Sequence, residues 1–304
     1  MSFFAILMAL LIEQARPLAS GNWVHAWVRR WLKWVIRLCD AGQKPHGWLV
    51  WTMAVVLPSV LALAIYWAAI WLVGWPLAMV FNVLCLYATL GFRQFSHHFT
   101  EVRDALETGD EDLARAHLAR WQHLELQDLP KDEIIRQVLA LSVLAAHRHV
   151  FGVLSWFSIL AALGLGPAGA VFYRLSEFVQ RYWAHRAQHQ PVSDAACQAA
   201  SQAWAYVDWL PARITALCFA VVGSFEEAID SWRQYDADPS STNDGVIIAA
   251  TSGAVNVQLG PVSDAHAPAR PELGHLRSVV GLVWRSVVLW MVLLALLTLA
   301  RLLG

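Results

Sequence analysis

The sequence predicts an all-α, polytopic integral membrane protein with about four membrane-embedded segments and a cytoplasmic helical hairpin region. Three observations carry that reading. Of 304 residues, 58% are hydrophobic and 15% charged, and the mean hydropathy is +0.45, which is not the balance of a soluble domain. Apolar stretches of membrane-spanning length occur along the chain. Tryptophan is present in 17 copies, several of them near the ends of such a stretch, where the rings prefer headgroup depth. The 22 Lys+Arg against 23 Asp+Glu leave no cation excess for a phosphate backbone, so nucleic acid is excluded as a partner. Cys39, Cys85, Cys197 and Cys218 show no C-x-x-C spacing, which excludes a disulfide framework and a zinc knuckle.

The elements follow in order. Phe3 to Ile12 makes about 15 Å of helix, half of a hydrocarbon core of roughly 30 Å, and does not span alone. No Lys or Arg precedes it and no small-x-small site follows Glu13 and Arg16, so a cleaved signal peptide is not expected. Trp23, Trp27, Trp31 and Trp34 share one helical face, with Arg29, Arg30, Lys33 and Arg37 on an adjacent arc. That pattern suits a helix lying in the bilayer interface; packing of the rings on the protein's own helices is the competing reading. Trp48 to Val73 is a 26-residue run without charge, a transmembrane helix that Pro58 is expected to kink. After Gly74-Trp75-Pro76, Leu77 to Gly91 returns as a shorter helix. It is expected to continue as a surface helix, because Phe92, Phe95, Phe99, Val102 and Leu106 repeat at helical spacing.

From Arg93 to Arg148 the chain is mostly polar and reads as a helical hairpin stopping near Gly109 and restarting at Asp110 as N-cap, with a third helix after Pro130. Val150 to Tyr173 is apolar but interrupted by Gly164-Leu165-Gly166-Pro167-Ala168-Gly169, which suits either a re-entrant hairpin or one kinked span. Residues 174 to 208 are polar, and Trp209 to Val222 is a short apolar piece. Pro239 to Gly245 is turn-forming, 262 to 274 is a linker, and Val279 to Ala300 is a final membrane helix.

Three stretches resemble the CobD/CbiB family of membrane proteins, with AmpE as a diverged relative. They are Gly166-Pro167-Ala168-Gly169 through Tyr173-Arg174, Asp208-Trp209-Leu210-Pro211-Ala212-Arg213 through Leu217, and Asn243-Asp244-Gly245 through Gly260-Pro261. The resemblance covers nearly the whole chain and implies a single domain over 1–304. Its parts would be N-terminal and interfacial helices (1–47), two membrane helices (48–91), a cytoplasmic helical region (92–149), broken membrane segments (150–223), a polar segment and linker (224–278) and a C-terminal membrane helix (279–304). It also implies cobalamin biosynthesis: adenosylcobinamide-phosphate synthase-type amide formation between a corrinoid carboxylate and an aminopropanol phosphate, with ATP and Mg if that activity is retained. A corrinoid or phosphorylated small molecule, the lipid bilayer and a second copy of the chain are the implied partners, and a bacterial-type inner membrane the implied location.

The chain departs from the family pattern where carboxylates are expected. In place of E-S-L-A-E-N-x-x-D-G it has Val143 to Gly152, with His147, Arg148, His149 and Phe151. Glu177 and Gln180 stand where Asn and Asp are expected, Trp204-Ala205 where an acidic pair is expected, and no G-R-D occurs near Leu124 to Asp128. Hard oxygen ligands for magnesium are therefore scarce, and a non-catalytic AmpE-like envelope regulator is the alternative reading.

Arg174 and Arg213 match family arginines at the edge of apolar segments, where a guanidinium clamps phosphate, or else snorkels or pairs with Glu177 and Asp208. Asn243, Asp244 and Gly245 open a small-residue helix whose backbone N–H groups can hold an anion, although small residues equally permit close packing. His97 and Glu101, at i and i+4, with His147 and His149 at the far end of the polar region, would give four ligands for zinc or another transition metal; polar contacts by the histidines are the competing reading. Neither G-x-S-x-G nor a phosphate-binding glycine loop occurs, which removes hydrolase and kinase readings. Trp48 to Gly91 holds no charge of the kind a transporter places at mid-membrane.

Orientation comes from the six Lys/Arg between residues 13 and 47, which precede the first span and place that loop in the cytoplasm. Cysteines introduced at Gln43 and Asp110 should react with an impermeant reagent only from the cytoplasmic face. Labelling from the periplasmic side of intact cells would reverse the topology.

Overall fold

The computed structural model describes residues 2–16, 23–40, 44–122, 129–187, 192–260 and 270–303. Gln43, the stretch 124–128, Pro261 at the end of its motif and residues 262–269 of the linker lie outside them. Along the chain run α1 (Ser2–Ala15), α2 (Trp23–Cys39), α3 (Lys44–Leu72), α4 (Trp75–Thr89), α5 (Phe92–Glu107), α6 (Glu111–Gln122) and α7 (Lys131–Ala146). A π turn (His147–Phe151) leads into α8 (Gly152–Ala162), followed by α9 (Ala168–Ala187), α10 (Asp194–Val222), α11 (Phe225–Asp236), α12 (Asn243–Val255) and α13 (Leu273–Leu303). No strand occurs among the described residues, and four helical runs are long and apolar enough to cross a membrane. The protein is an all-α polytopic membrane protein.

The contacts divide the chain into two discontinuous units, Met1–Gly91 with Arg148–Pro211, and Phe92–His147 with Ala212–Gly304. In the first unit α3 packs on α9, α4 and α2, and α1 packs on α4. Pro58 lies within α3 without interrupting it. Much of α3 faces outward, including Leu57, Val60, Leu61, Ile65 and Trp71, an apolar surface suited to the hydrocarbon of a bilayer. The tryptophan stripe of α2 divides. Trp31 donates its ring N–H to the Ala54 carbonyl at 3.4 Å, with Leu32 and Val35 buried beside it, whereas Trp27 and Trp34 are each 53% exposed.

The predicted continuation of α4 into α5 is broken at Leu90 and Gly91. Thr89 turns its hydroxyl back to the Cys85 and Leu86 carbonyls, and Leu90 takes an extended conformation, so the phenylalanine period runs across a real chain break. The interrupted apolar stretch forms a helical hairpin. Gly164 and Gly166 take positive φ (80° and 54°) between α8 and α9. Past the turn, a Cβ on Gly169 would lie 2.1 Å from the Trp156 carbonyl oxygen, so only glycine lets α9 run this close to α8.

In the second unit α5 and α6 form the expected hairpin: Gly109 has φ 80°, and the Asp110 carboxylate accepts from the Leu113 N–H at 2.9 Å as N-cap. Val102, Leu106, Leu118, Val138 and Leu139 bury the faces that α5, α6 and α7 share. Two boundaries differ from expectation. Helix α7 does not stay in a polar region: it continues through the π turn into α8, so Lys131–Ala162 is one of the four spanning candidates. Its charges gather at Lys131, Asp132, Glu133 and Arg136, leaving Val138 to Ala146 apolar. The piece Trp209 to Val222 is likewise the end of a 29-residue helix whose first half is alanine-rich rather than loop-forming.

Gly169→Ala should destabilise the protein by about 1–3 kcal/mol, because backbone and not a flexible side chain blocks the new methyl. Gly281→Ala on α13, with nothing near its Cβ among the described residues, should stay within about 0.5 kcal/mol of the parent. Thermal unfolding of the purified protein in detergent distinguishes the two; equal midpoints would refute the packing argument.

Candidate functional site

The first unit holds a buried polar core. On α9, Arg174, Glu177 and Arg181 recur at i, i+3 and i+7 and share one face. Glu177 is 2% exposed, accepts from Arg174 at 3.0 Å and pairs with Arg181 at 3.4 Å. One residue before Arg174, Tyr173 points to a different side and donates to Asp208 on α10 at 2.8 Å; both residues are fully buried. The close fit extends to α8, where a Cβ on Gly152 would overlap the Tyr173 ring, 2.0 Å from its Cζ. The Trp204 ring lies 5.3 Å from that of Tyr173, so the position where the resemblance led us to expect acids is filled by aromatic packing.

The π turn brings Arg148 and His149 into the same region, and α2 brings His25. Burial lowers the His25 pKa, and the guanidinium groups of Arg174, Arg29 and Arg181 lower it further, partly offset by Glu177. Of these, Arg174 and Glu177 were visible in the sequence as a pair. His25 and Arg148 gave no local signal, since only the tertiary fold brings them to α9.

The second unit brings the other predicted residues together around the start of α12. Thr242 caps the helix, its hydroxyl accepting from the Gly245 N–H at 3.1 Å. Arg213, from α10, donates to Asn243 Oδ1 at 3.1 Å and reaches Asp236 Oδ1 at 3.4 Å. Gly245 is there for space: a Cβ would come 1.9 Å from the Tyr235 hydroxyl oxygen. Gly253 does the same against the Glu227 carbonyl at 2.1 Å, so α12 runs almost backbone to backbone beside α11. The segment then ends in a left-handed Asn256, and the Leu259 carbonyl accepts from Arg136 at 2.8 Å. Packing therefore accounts for both helical glycines of this segment. Tyr235 and Asp236, which complete the Arg213 environment, lie outside the motif and were not anticipated.

The four metal candidates are not assembled. Glu101 is faced by His97 and His98 at 3.5 Å and by His117 of α6 at 3.6 Å, and not by His147, whose Nδ1 instead meets Thr215 Oγ1 at 2.9 Å in a fully buried position. His149 stands with the arginines of the first unit. Among the described residues no three His, Cys, Asp or Glu side chains are grouped to hold a metal ion. Helical spacing correctly pairs His97 with Glu101, but the further imidazole comes from α6, a tertiary neighbour.

The family profile described as "CobD/Cbib protein" matches residues 3–300. A protein of Stutzerimonas stutzeri (strain A1501) named "Cobalamin biosynthesis protein CobD" is 29% identical over 266 residues, covering 83% of this chain and 82% of that relative. A protein of the same name from Chromobacterium violaceum is 30% identical over 233 residues, covering 74% and 72% respectively. One from Leptospira interrogans is 25% identical over 202 residues. No solved structure matches the chain.

Gly245→Ala should lower the unfolding midpoint, at a cost of about 1–3 kcal/mol, by driving Tyr235 off the start of α12. Because the obstacle is one side chain, the double variant Gly245→Ala/Tyr235→Ala should cost less than the sum of the two single changes, a coupling that a double-mutant cycle reads directly. Strict additivity would show that the two residues do not meet.

Proposed function

The chain belongs to the CobD/CbiB family, and we infer from this that it acts in cobalamin biosynthesis at the adenosylcobinamide-phosphate synthase step, holding the aminopropanol phosphate partner while forming the amide poorly. The names of its relatives support the pathway. The observation that carries the binding role is Arg213, fixed at the start of α12 by an amide and by a half-exposed carboxylate. The Arg213–Asp236 pair is a weak one, with the two side chains 20% and 39% exposed, so a phosphate can displace Asp236 at small cost and take the guanidinium fork.

Amide formation driven by ATP and magnesium needs oxygen ligands for the cation. Three of the carboxylates at the two clusters are already engaged: Glu177 is held between two guanidinium groups, Asp208 accepts from Tyr173, and Asp236 faces Arg213. Three positions where the family pattern has acids or amides are fully buried here as Val143, His147 and Phe151. The reading includes an inner-membrane location with the α5–α6 hairpin on the cytoplasmic side.

A second reading, a non-catalytic AmpE-like regulator, is favoured by one observation: the Trp204 ring packs on Tyr173 where acids are expected.

Two measurements separate these readings. In a strain lacking its own synthase and supplied with cobyric acid, the gene should restore growth weakly or not at all. Acidic residues placed together at Val143, His147 and Phe151 should unfold the protein rather than rescue it, since all three sites are fully buried and three new charges would be desolvated there. Full growth from the parent gene would refute impaired catalysis. The purified chain should bind aminopropanol phosphate, and Arg213→Lys should weaken that binding by about tenfold with an unchanged unfolding midpoint. No binding by the parent protein would leave the regulator reading in its place.

A further inference from the structure

Helix α2 has three sides, each of different chemistry. Toward the protein it buries Leu32 and Val35, and Trp31 donates its ring N–H to the Ala54 carbonyl of α3 at 3.4 Å. At about 100° per residue, Trp27, Trp34 and Leu38 share a second side, roughly a third of a turn from the first. They are 53%, 53% and 65% exposed. Arg30, Lys33 and Arg37, all exposed, occupy the third side, about a quarter-turn beyond Trp27 and nearly opposite Leu32 and Val35. Helix α2 contains no Asp or Glu, and among the described residues none of these three cations has an ion-pair partner. Asp40, the first acid after the helix, accepts from the Ser193 N–H at 3.1 Å. The exposed rings are held in place by an anchored one: Trp31 stacks on Trp27 at 6.4 Å and on Trp34 at 5.2 Å between ring centres.

We propose that α2 selects anionic phospholipid, with Trp27, Trp34 and Leu38 among the acyl chains and Arg30, Lys33 and Arg37 at the headgroups. Depth is the first argument. Ala54, where α2 is fastened, lies about 12 Å along the spanning run that starts at His46, near the acyl boundary and short of the midplane. Continuity is the second: Met53 and Leu57, within one turn of Ala54, are exposed on α3, so the apolar side of α2 extends the outward face of a spanning helix. Charge is the third. The cations point away from the protein, where a zwitterionic surface leaves them without counter-charge and an anionic one supplies it. The selecting chemistry is therefore net negative charge and not phosphate as such, which phosphatidylcholine also carries. Because Trp27 and Trp34 are already stacked on a fixed ring, their insertion costs little further side-chain freedom. The surface draws on no residue of the second unit, so it stands or falls independently of Arg213.

The test reconstitutes the full chain in phosphatidylcholine vesicles that also contain brominated phosphatidylglycerol or brominated phosphatidylcholine, whose bromines quench nearby tryptophan fluorescence. Competition with the unbrominated lipid gives the relative binding constant. Phosphatidylglycerol should be preferred at least about fivefold at low salt, the factor one basic side chain gives near an anionic surface, and the preference should vanish at about 1 M salt. Arg30→Gln/Lys33→Gln/Arg37→Gln should abolish it without moving the unfolding midpoint in detergent. Arg30→Lys/Arg37→Lys should retain it, since charge and not the guanidinium fork decides. Trp27→Phe/Trp34→Phe should remove part of the quenching by both lipids, which places lipid at these rings. Equal binding of the two lipids by the parent protein would overturn the proposal, as would a preference that survives the triple variant. Quenching left unchanged by the paired Phe variant would show that something other than lipid, such as a second copy of the chain, covers the rings, and would overturn it as well.

Discussion

A carboxylate as deeply buried as Glu177 is tolerable only beside cations, because its desolvation costs several kcal/mol unless paired charges and hydrogen bonds offset it. Much of the first unit answers to that requirement. Arg174 must sit one helical step from Glu177 and Arg181 one step beyond, which fixes the rotation of α9 about its own axis. With that rotation set, Tyr173 faces Asp208, and Gly152 and Gly169 are the residues that let α8 come close enough to close over it. The glycines and the ion pair are thus parts of one arrangement, the first supplying the space and the second the orientation.

The two arginines that resemble phosphate ligands differ for the same physical reason. Arg174 is locked to a buried acid that no solvent can replace, so removing Glu177 would strand a charge. Arg213 leans on an amide and an exposed carboxylate, a pairing that water and salt weaken. An incoming anion can compete for Arg213, whereas in the first unit it must join an existing network.

What the sequence made legible follows the range of the interactions. Local ones were readable: the charge-free run that became α3, the Asp110 cap, the Gly164–Gly169 turn and the Arg174–Glu177 spacing. Misplaced boundaries came from patterns that two structures share. Phenylalanines at helical spacing continue through Leu90 and Gly91, where the backbone turns extended at Leu90 and the helix ends. The charged start of α7 hid an apolar helix behind it, and alanines hid the first half of α10. At the sites, Arg213 and Asn243 lie in motifs, but Asp236, His117 and His25 do not, because they meet their partners only through folding.

The π turn at His147–Phe151 carries one residue more than an ordinary helical path between α7 and α8 would need. Each residue of a helix advances the side-chain direction by about 100°. The additional residue therefore acts as a phase shifter along the chain: His147, at the start of the turn, meets Thr215, and Gly152, just past its end, meets Tyr173. Loss of one codon there would leave composition and hydropathy almost untouched, yet turn every side chain of α8 by about 100° relative to those of α7.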